Sequence, residues 1–262
     1  MNMLLERDRK YKPTLEAVKE AAERISRVVL KTPLADSFTY SKRYSANILL
    51  KREDLQQVRS YKIRGAYNKI SSLPEDQLKK GVICASAGNH AQGVAFACNK
   101  LHTKGVIYMP ITTPRQKVEQ TQMFGGEWVE VILKGDTFDD SYKSAMKHRE
   151  KFGLVFIHPF DDEKVIEGQA TIGLEILEQA DAPVDYVFAP LGGGGLLAGI
   201  STIFKKLSPN TKIIGVEPSG APSMTSSLKE GKVVELSEIE RFVDGAAVQK
   251  VGNRNFEICK EN

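Results

Sequence analysis

Thiols are scarce in this chain: of 262 residues only Cys84, Cys98 and Cys259 are cysteine. An odd number without metal-ligand spacing argues against a disulfide framework and a zinc module. Cys84 and Cys98 lie among apolar residues, where a free cysteine acts as a small buried hydrophobe, and a reducing compartment is expected. No apolar run approaches the ~20 residues that a membrane-spanning helix needs. No apolar core follows the first charges, so no signal peptide is expected and the cytoplasm is the expected location. Charge of one sign is lacking too. The 37 basic and 33 acidic residues leave +4, scattered rather than gathered in a stripe, which argues against a nucleic-acid partner. The basic stretch Arg7-Asp8-Arg9-Lys10 is short and interrupted and reads as a solvated terminus. Repeats, low-complexity tracts and linkers rich in Pro, Gly or Ser are absent.

What is present is the composition of a globular enzyme, 41% hydrophobic and 27% charged, in a chain long enough for two modest lobes. Thr14 precedes Leu15, Val18, Ala22, Ile25 and Val29, a helical spacing with an N-cap. Asn47 to Leu50 reads as a short strand. From Val82 the pattern alternates. Strands are expected at 82–85, 105–109, 127–132, 154–157, 185–189 and 212–217. Helices are expected at 91–101, from Thr113-Pro114 onward with proline in the first turn, and at 137–151, 164–179 and 196–207. Such alternation implies βαβ units and parallel sheets. The expected division is a smaller lobe at 79–158 flanked by a larger lobe made of 1–78 and 159–262.

Three segments carry chemistry. Gly192-Gly193-Gly194-Gly195-Leu196 lies between a strand pattern and a helix pattern. Bare backbone there, with a helix N-terminus behind it, suits a phosphate. A dinucleotide could own that phosphate, because Gly193, Gly195 and Ala198 satisfy G-x-G-x-x-A and Glu217 ends the next strand. Ser86-Ala87-Gly88-Asn89-His90 repeats the strand-to-helix geometry with small residues and suits a carboxylate, although a plain polar N-cap explains it as well. Lys62, in Ser60-Tyr61-Lys62-Ile63-Arg64-Gly65-Ala66, is a nucleophile candidate if desolvated. Lys51-Arg52-Glu53-Asp54 reads as a solvated strand edge, and His90 as helix-start packing.

These segments, with Lys51-Arg52-Glu53-Asp54-Leu55-Gln56 and His158-Pro159-Phe160-Asp161, resemble the fold-type II family of pyridoxal-phosphate enzymes. Within it they are most similar to the biosynthetic threonine dehydratases. The resemblance spans nearly the whole chain in the family's order. It implies a tryptophan-synthase-beta-like α/β fold of two open, mostly parallel twisted sheets flanked by helices, truncated at its C-terminus. It implies that Lys62 binds pyridoxal 5′-phosphate through an imine and that Asn89 contacts the ring hydroxyl. Gly192, Gly193, Gly194, Gly195 and Leu196 would hold the phosphate, and Ser86, Ala87, Gly88, Asn89 and His90 the substrate carboxylate. The implied reaction turns L-threonine into 2-oxobutanoate and ammonia, as the first step of isoleucine biosynthesis, with L-serine as a second substrate. The implied assembly is a dimer or tetramer.

Serine racemases of the group carry a serine where this chain has Ala87, and sulfhydrylases a threonine in place of His90, so both resemblances are weaker. Glu217, Ala221 and Ser223 fall where related racemases bind a divalent ion. Ser223 replaces an acidic ligand, and no metal is expected. The family's serine or threonine for the pyridine nitrogen has no counterpart here.

Overall fold

The spacing after Thr14 folds as helix α1, Leu15–Ile25, in a computed structural model that describes residues 11–262. Arg7-Asp8-Arg9-Lys10 lies outside the described residues. Thr14 Oγ accepts from Ala17 N at 3.1 Å and caps α1, and the buried stripe is Val18, Ala21 and Ile25 rather than Ala22. Two elements not expected from the pattern follow, strand β1 (Leu34–Asp36) and helix α2 (Phe38–Tyr44). Strand β2 (Leu49–Lys51) pairs antiparallel with β1, Leu34 opposite Lys51. The lysine segment is itself a helix, α3 (Lys62–Ser71), with α4 (Glu75–Lys80) behind it.

Four parallel strands form the central sheet: β3 (Val82–Ala85), β4 (Gly105–Met109), β5 (Val129–Leu133) and β6 (Val155–Phe156), in the order β5-β4-β3-β6. Three helices connect them, α5 (Asn89–Leu101), α6 (Arg115–Gly125) and α7 (Phe138–Phe152). Pro114 stands at the N-cap of α6 rather than inside its first turn. Alternation of side chains along each strand divides the core in two. Val82, Cys84, Ile107 and Met109 pack with Ala91, Val94 and Cys98 of α5, whereas Ile83, Ala85 and Tyr108 pack with Ala145 of α7. Both faces are covered, as a parallel sheet requires.

Helix α8 (Glu163–Gln179) then runs through the molecule, followed by β7 (Tyr186–Pro190), α9 (Gly195–Leu207) and β8 (Lys212–Val216), with β7 and β8 parallel. Val187 and Ala189 of β7 pack on Ile172, Ile176, Leu196, Ile200 and Phe204. Helix α9 starts at Gly195, one residue before the expected start. Helices α10 (Ser223–Glu230) and α11 (Asn253–Glu261) complete the described chain. Among the described residues no helix is long and apolar enough to cross a membrane.

Helices α3 and α8 touch backbone to backbone. A Cβ on Gly168 would lie 2.7 Å from Arg64 O, so only glycine permits the crossing. Beside this crossing sits a buried ionic cluster. Arg64, fully buried, donates to Glu53 Oε1 and Oε2, each at 2.8 Å, and to Glu175 Oε1 at 2.6 Å. Lys51 Nζ reaches Glu175 Oε2 at 2.5 Å and Thr32 O at 2.6 Å. The expected solvated edge is therefore wrong for Lys51, which partners Glu175 far along the chain, and for Glu53, which partners Arg64. It holds for Arg52 and Asp54, whose side chains stay exposed and pair with each other at 2.8 Å.

Candidate active site

Lys62 is the first residue of α3. Its Nζ donates to Pro159 O at 2.8 Å and lies 5.5 Å from the Tyr61 ring centroid. Among the described residues no carboxylate pairs with it. Burial lowers its pKa from 10.5 to about 8, because an ammonium loses its hydration and gains no counter-charge. The positive end of the α3 dipole acts in the same direction. Arg64, two residues on, turns its guanidinium into the Glu53–Glu175 cluster. Ser60 Oγ, also buried, has no hydrogen-bond partner among the described residues.

The four glycines form the turn from β7 into α9. Only Gly194 adopts a left-handed φ, +92°. Among the described residues none of the backbone N–H groups from Gly192 to Leu196 donates to a protein acceptor, although Gly193 to Leu196 are buried. Each unpaired buried N–H costs about 1–3 kcal/mol. Four buried residues with such groups, and Gly192 beside them, line a helix N-terminus and suit an anion.

Residues 158–161 join this arc to the lysine. Pro159 supplies the carbonyl that accepts from Lys62, while the Phe160 ring fills the space beside Gly193, where a Cβ would lie 2.2 Å from Phe160 Cγ. His158 Nδ1 accepts from Phe160 N at 3.2 Å and Asp161 N at 2.8 Å, which shapes the turn and puts the ring proton on Nε2. Burial lowers the His158 pKa.

The second cradle lies at the C-terminal end of β3, where open parallel sheets hold ligands. Ser86 N continues the ladder to Tyr108 O at 3.0 Å, and Gly88 N reaches Ser86 Oγ at 3.3 Å. The N–H groups of Ala87, Asn89 and His90 have no acceptor among the described residues. Asn89 opens α5 with its side chain exposed. His90 is buried and its Nε2 lies 2.9 Å from Ile157 O, so it packs at the helix start as its isolated reading implied. Burial, and then the nearby Lys62 charge, hold its pKa down at about 3. Helix α5 also packs against the lysine's backbone, since a Cβ on Gly93 would lie 3.1 Å from Lys62 O.

Glu217 serves elsewhere. Its Oε1 accepts from Met224 N at 2.7 Å and its Oε2 from Thr225 N at 2.9 Å, capping α10. The acid that a dinucleotide fingerprint would offer to a ribose is thus engaged by a helix N-terminus. Ala221 and Ser223 are buried nearby, and among the described residues no three His, Cys, Asp or Glu side chains cluster to hold a metal. Asn255 joins the site through Gly193 O although the sequence pattern did not single it out. Asn255 follows the glycine turn by about 60 positions, and nothing local marks it.

An amine without a counter-charge and a row of unpaired backbone donors at a helix N-terminus are the two groups that a cofactor carrying an aldehyde and a phosphate would need. A family model described as "Pyridoxal-phosphate dependent enzyme" matches residues 25–262, and the chain belongs to that family. It is 55% identical over 247 residues to "L-threonine dehydratase biosynthetic IlvA" of Halalkalibacterium halodurans, covering 94% of this chain and 60% of that protein. Among solved structures it resembles the processed form of threonine deaminase isoform 2 from Solanum lycopersicum, with TM-score 0.88 and 47% identity over 95% of this chain and 69% of that one. A second solved threonine deaminase, from T.th., superposes with TM-score 0.89 at 39% identity, covering 95% of this chain and 80% of that one. The chain thus spans about three fifths of the length of the curated dehydratase it matches.

Proposed function

We propose that this chain forms the cofactor-binding part of a dehydratase that converts L-threonine, and L-serine as a second substrate, into the 2-oxo acid and ammonia. The reading rests on the Lys62 amine and the donor arc at 192–196, which share the Pro159–Phe160 segment. Bound there, pyridoxal phosphate supplies an electron sink for negative charge at the substrate's α-carbon. The chain's own groups do the rest. Gly192 to Leu196 would hold the phosphate through backbone N–H groups, and Lys62 would hold the aldehyde carbon until the substrate's own amine displaces it and frees Nζ. Neutral Lys62 Nζ is the base for the α-proton, since its lowered pKa keeps a usable neutral fraction near pH 8. The N–H groups of Ala87, Asn89 and His90 orient the substrate carboxylate, with Asn89 also facing the ring hydroxyl.

Ala87 has no hydroxyl to accept or return a proton on the opposite face, which favours elimination over racemisation. The same reading places residues 79–158 in a smaller lobe, the protein in the cytoplasm, and further copies of the chain beside it. The test is a visible spectrum of the protein loaded with pyridoxal phosphate, recorded before and after adding L-threonine. A changed band with release of 2-oxobutanoate is expected. A loaded protein whose spectrum ignores L-threonine and L-serine overturns the substrate assignment.

A further inference from the structure

The side chain of Asn255 in α11 is completely buried and bridges two segments distant in sequence. Its Nδ2 donates to Gly193 O at 2.8 Å and to Phe160 O at 3.1 Å. The same Gly193 carbonyl accepts from Gly252 N at 3.1 Å. Two donors therefore pin this carbonyl towards α11. A trans peptide unit is planar, with its C=O and N–H pointing in opposite directions. Holding Gly193 O inward therefore drives the Gly194 N–H outward, into the arc of unpaired donors. The same geometry recurs at Phe160, whose inward carbonyl sends Asp161 N the other way, to His158 Nδ1 at 2.8 Å.

Helix α11 is fixed for this task. Asp161 caps it, accepting from Asn253 N at 3.0 Å and Arg254 N at 3.1 Å. Asn255 Cβ lies so near the turn that a Cβ on Gly194 would approach it to 2.9 Å. Only a side chain with two hydrogens on one nitrogen can serve both carbonyls, and serine or threonine has a single hydrogen. We propose that Asn255 is a positioning residue for the phosphate cradle, aligning the donors of the glycine turn and tying that turn to the segment that accepts from Lys62. This deepens the proposed function and rests on it.

The test compares pyridoxal 5′-phosphate with pyridoxal, which has the aldehyde but not the phosphate. Cofactor-free wild type and Asn255→Leu are titrated with each, and melting temperatures are recorded alongside. Wild type is expected to prefer the phosphorylated aldehyde. Asn255→Leu is expected to weaken pyridoxal phosphate roughly 10- to 100-fold, the scale of one hydrogen bond to a charged group, and to leave pyridoxal unchanged. Equal weakening of both ligands reduces Asn255 to a structural residue and overturns the proposal, as does no weakening of either. A wild type without preference for the phosphorylated aldehyde refutes the proposed function instead. Should Asn255→Leu fail to fold, Asn255→Thr is read by the same ratio. With one hydrogen to give it is expected to lose part of the preference, and an intact preference overturns the proposal.

Discussion

Replacing Lys62 by methionine should make the cofactor-free protein more stable at neutral pH. Folding places the Lys62 ammonium where burial lowers its pKa from 10.5 to about 8. A displacement of that size corresponds to roughly 3 kcal/mol of penalty on the charged form. Lys62 is only half-buried, so solvent screening takes about 1 kcal/mol off this penalty, and the lost bond to Pro159 O takes off about 1 kcal/mol more. A net gain of about 1 kcal/mol for Lys62→Met is expected near pH 7. The sign follows from proton linkage. The folded-state pKa lies below the unfolded one, so between about 8 and 10.5 the unfolded chain binds more protons and wild-type stability rises with pH. Below about 8 the penalty is fully present. Urea unfolding of both proteins at about pH 7 and about pH 10 isolates the effect, because the other lysines cancel in the comparison. The methionine advantage should shrink or reverse at the higher pH. A variant no more stable than wild type at pH 7, or one whose advantage does not change with pH, refutes the desolvated-amine argument.

Arg64→Met leaves Glu53 and Glu175 buried without their shared partner, and about 3–5 kcal/mol of stability should be lost in urea unfolding. Arg64→Lys should recover only part of this, since a point charge cannot fork to two carboxylates. Gly194→Ala forces a side chain to φ +92° and against Asn255. It should cost about 1–3 kcal/mol and weaken pyridoxal phosphate in a binding titration. Glu217→Gln removes the carboxylate cap of α10 and should cost about 1 kcal/mol by thermal melting while pyridoxal phosphate binds as before. Loss of cofactor affinity in that variant would move Glu217 into the site.

Local pattern carried the central sheet well. Residues Val82–Ala85 and Gly105–Met109 match their strands because both are bounded by glycine or polar residues and sit beside long amphipathic helices. Helix α3 escaped notice because Gly65 in its interior lowers helix propensity and Arg64 breaks any apolar stripe. Its partners lie in α8, more than 100 positions away. The same distance explains Lys51, which looks solvated beside Arg52 but finds Glu175 across the fold. The site divides similarly. The glycine run suggests an anion by residue type, whereas Lys62 stands out among 37 basic residues only through the family resemblance. The carbonyl that accepts from Lys62 and the asparagine that orients the turn use backbone groups and long-range contacts, which no spacing encodes.

The most direct measurement is covalent. Cofactor-free protein is mixed with pyridoxal phosphate, reduced with borohydride, digested and mapped by mass. One reduced adduct is expected, on the peptide carrying Lys62, and it should vanish in Lys62→Ala. An adduct spread over other lysines, or one undiminished in Lys62→Ala, would contradict the account.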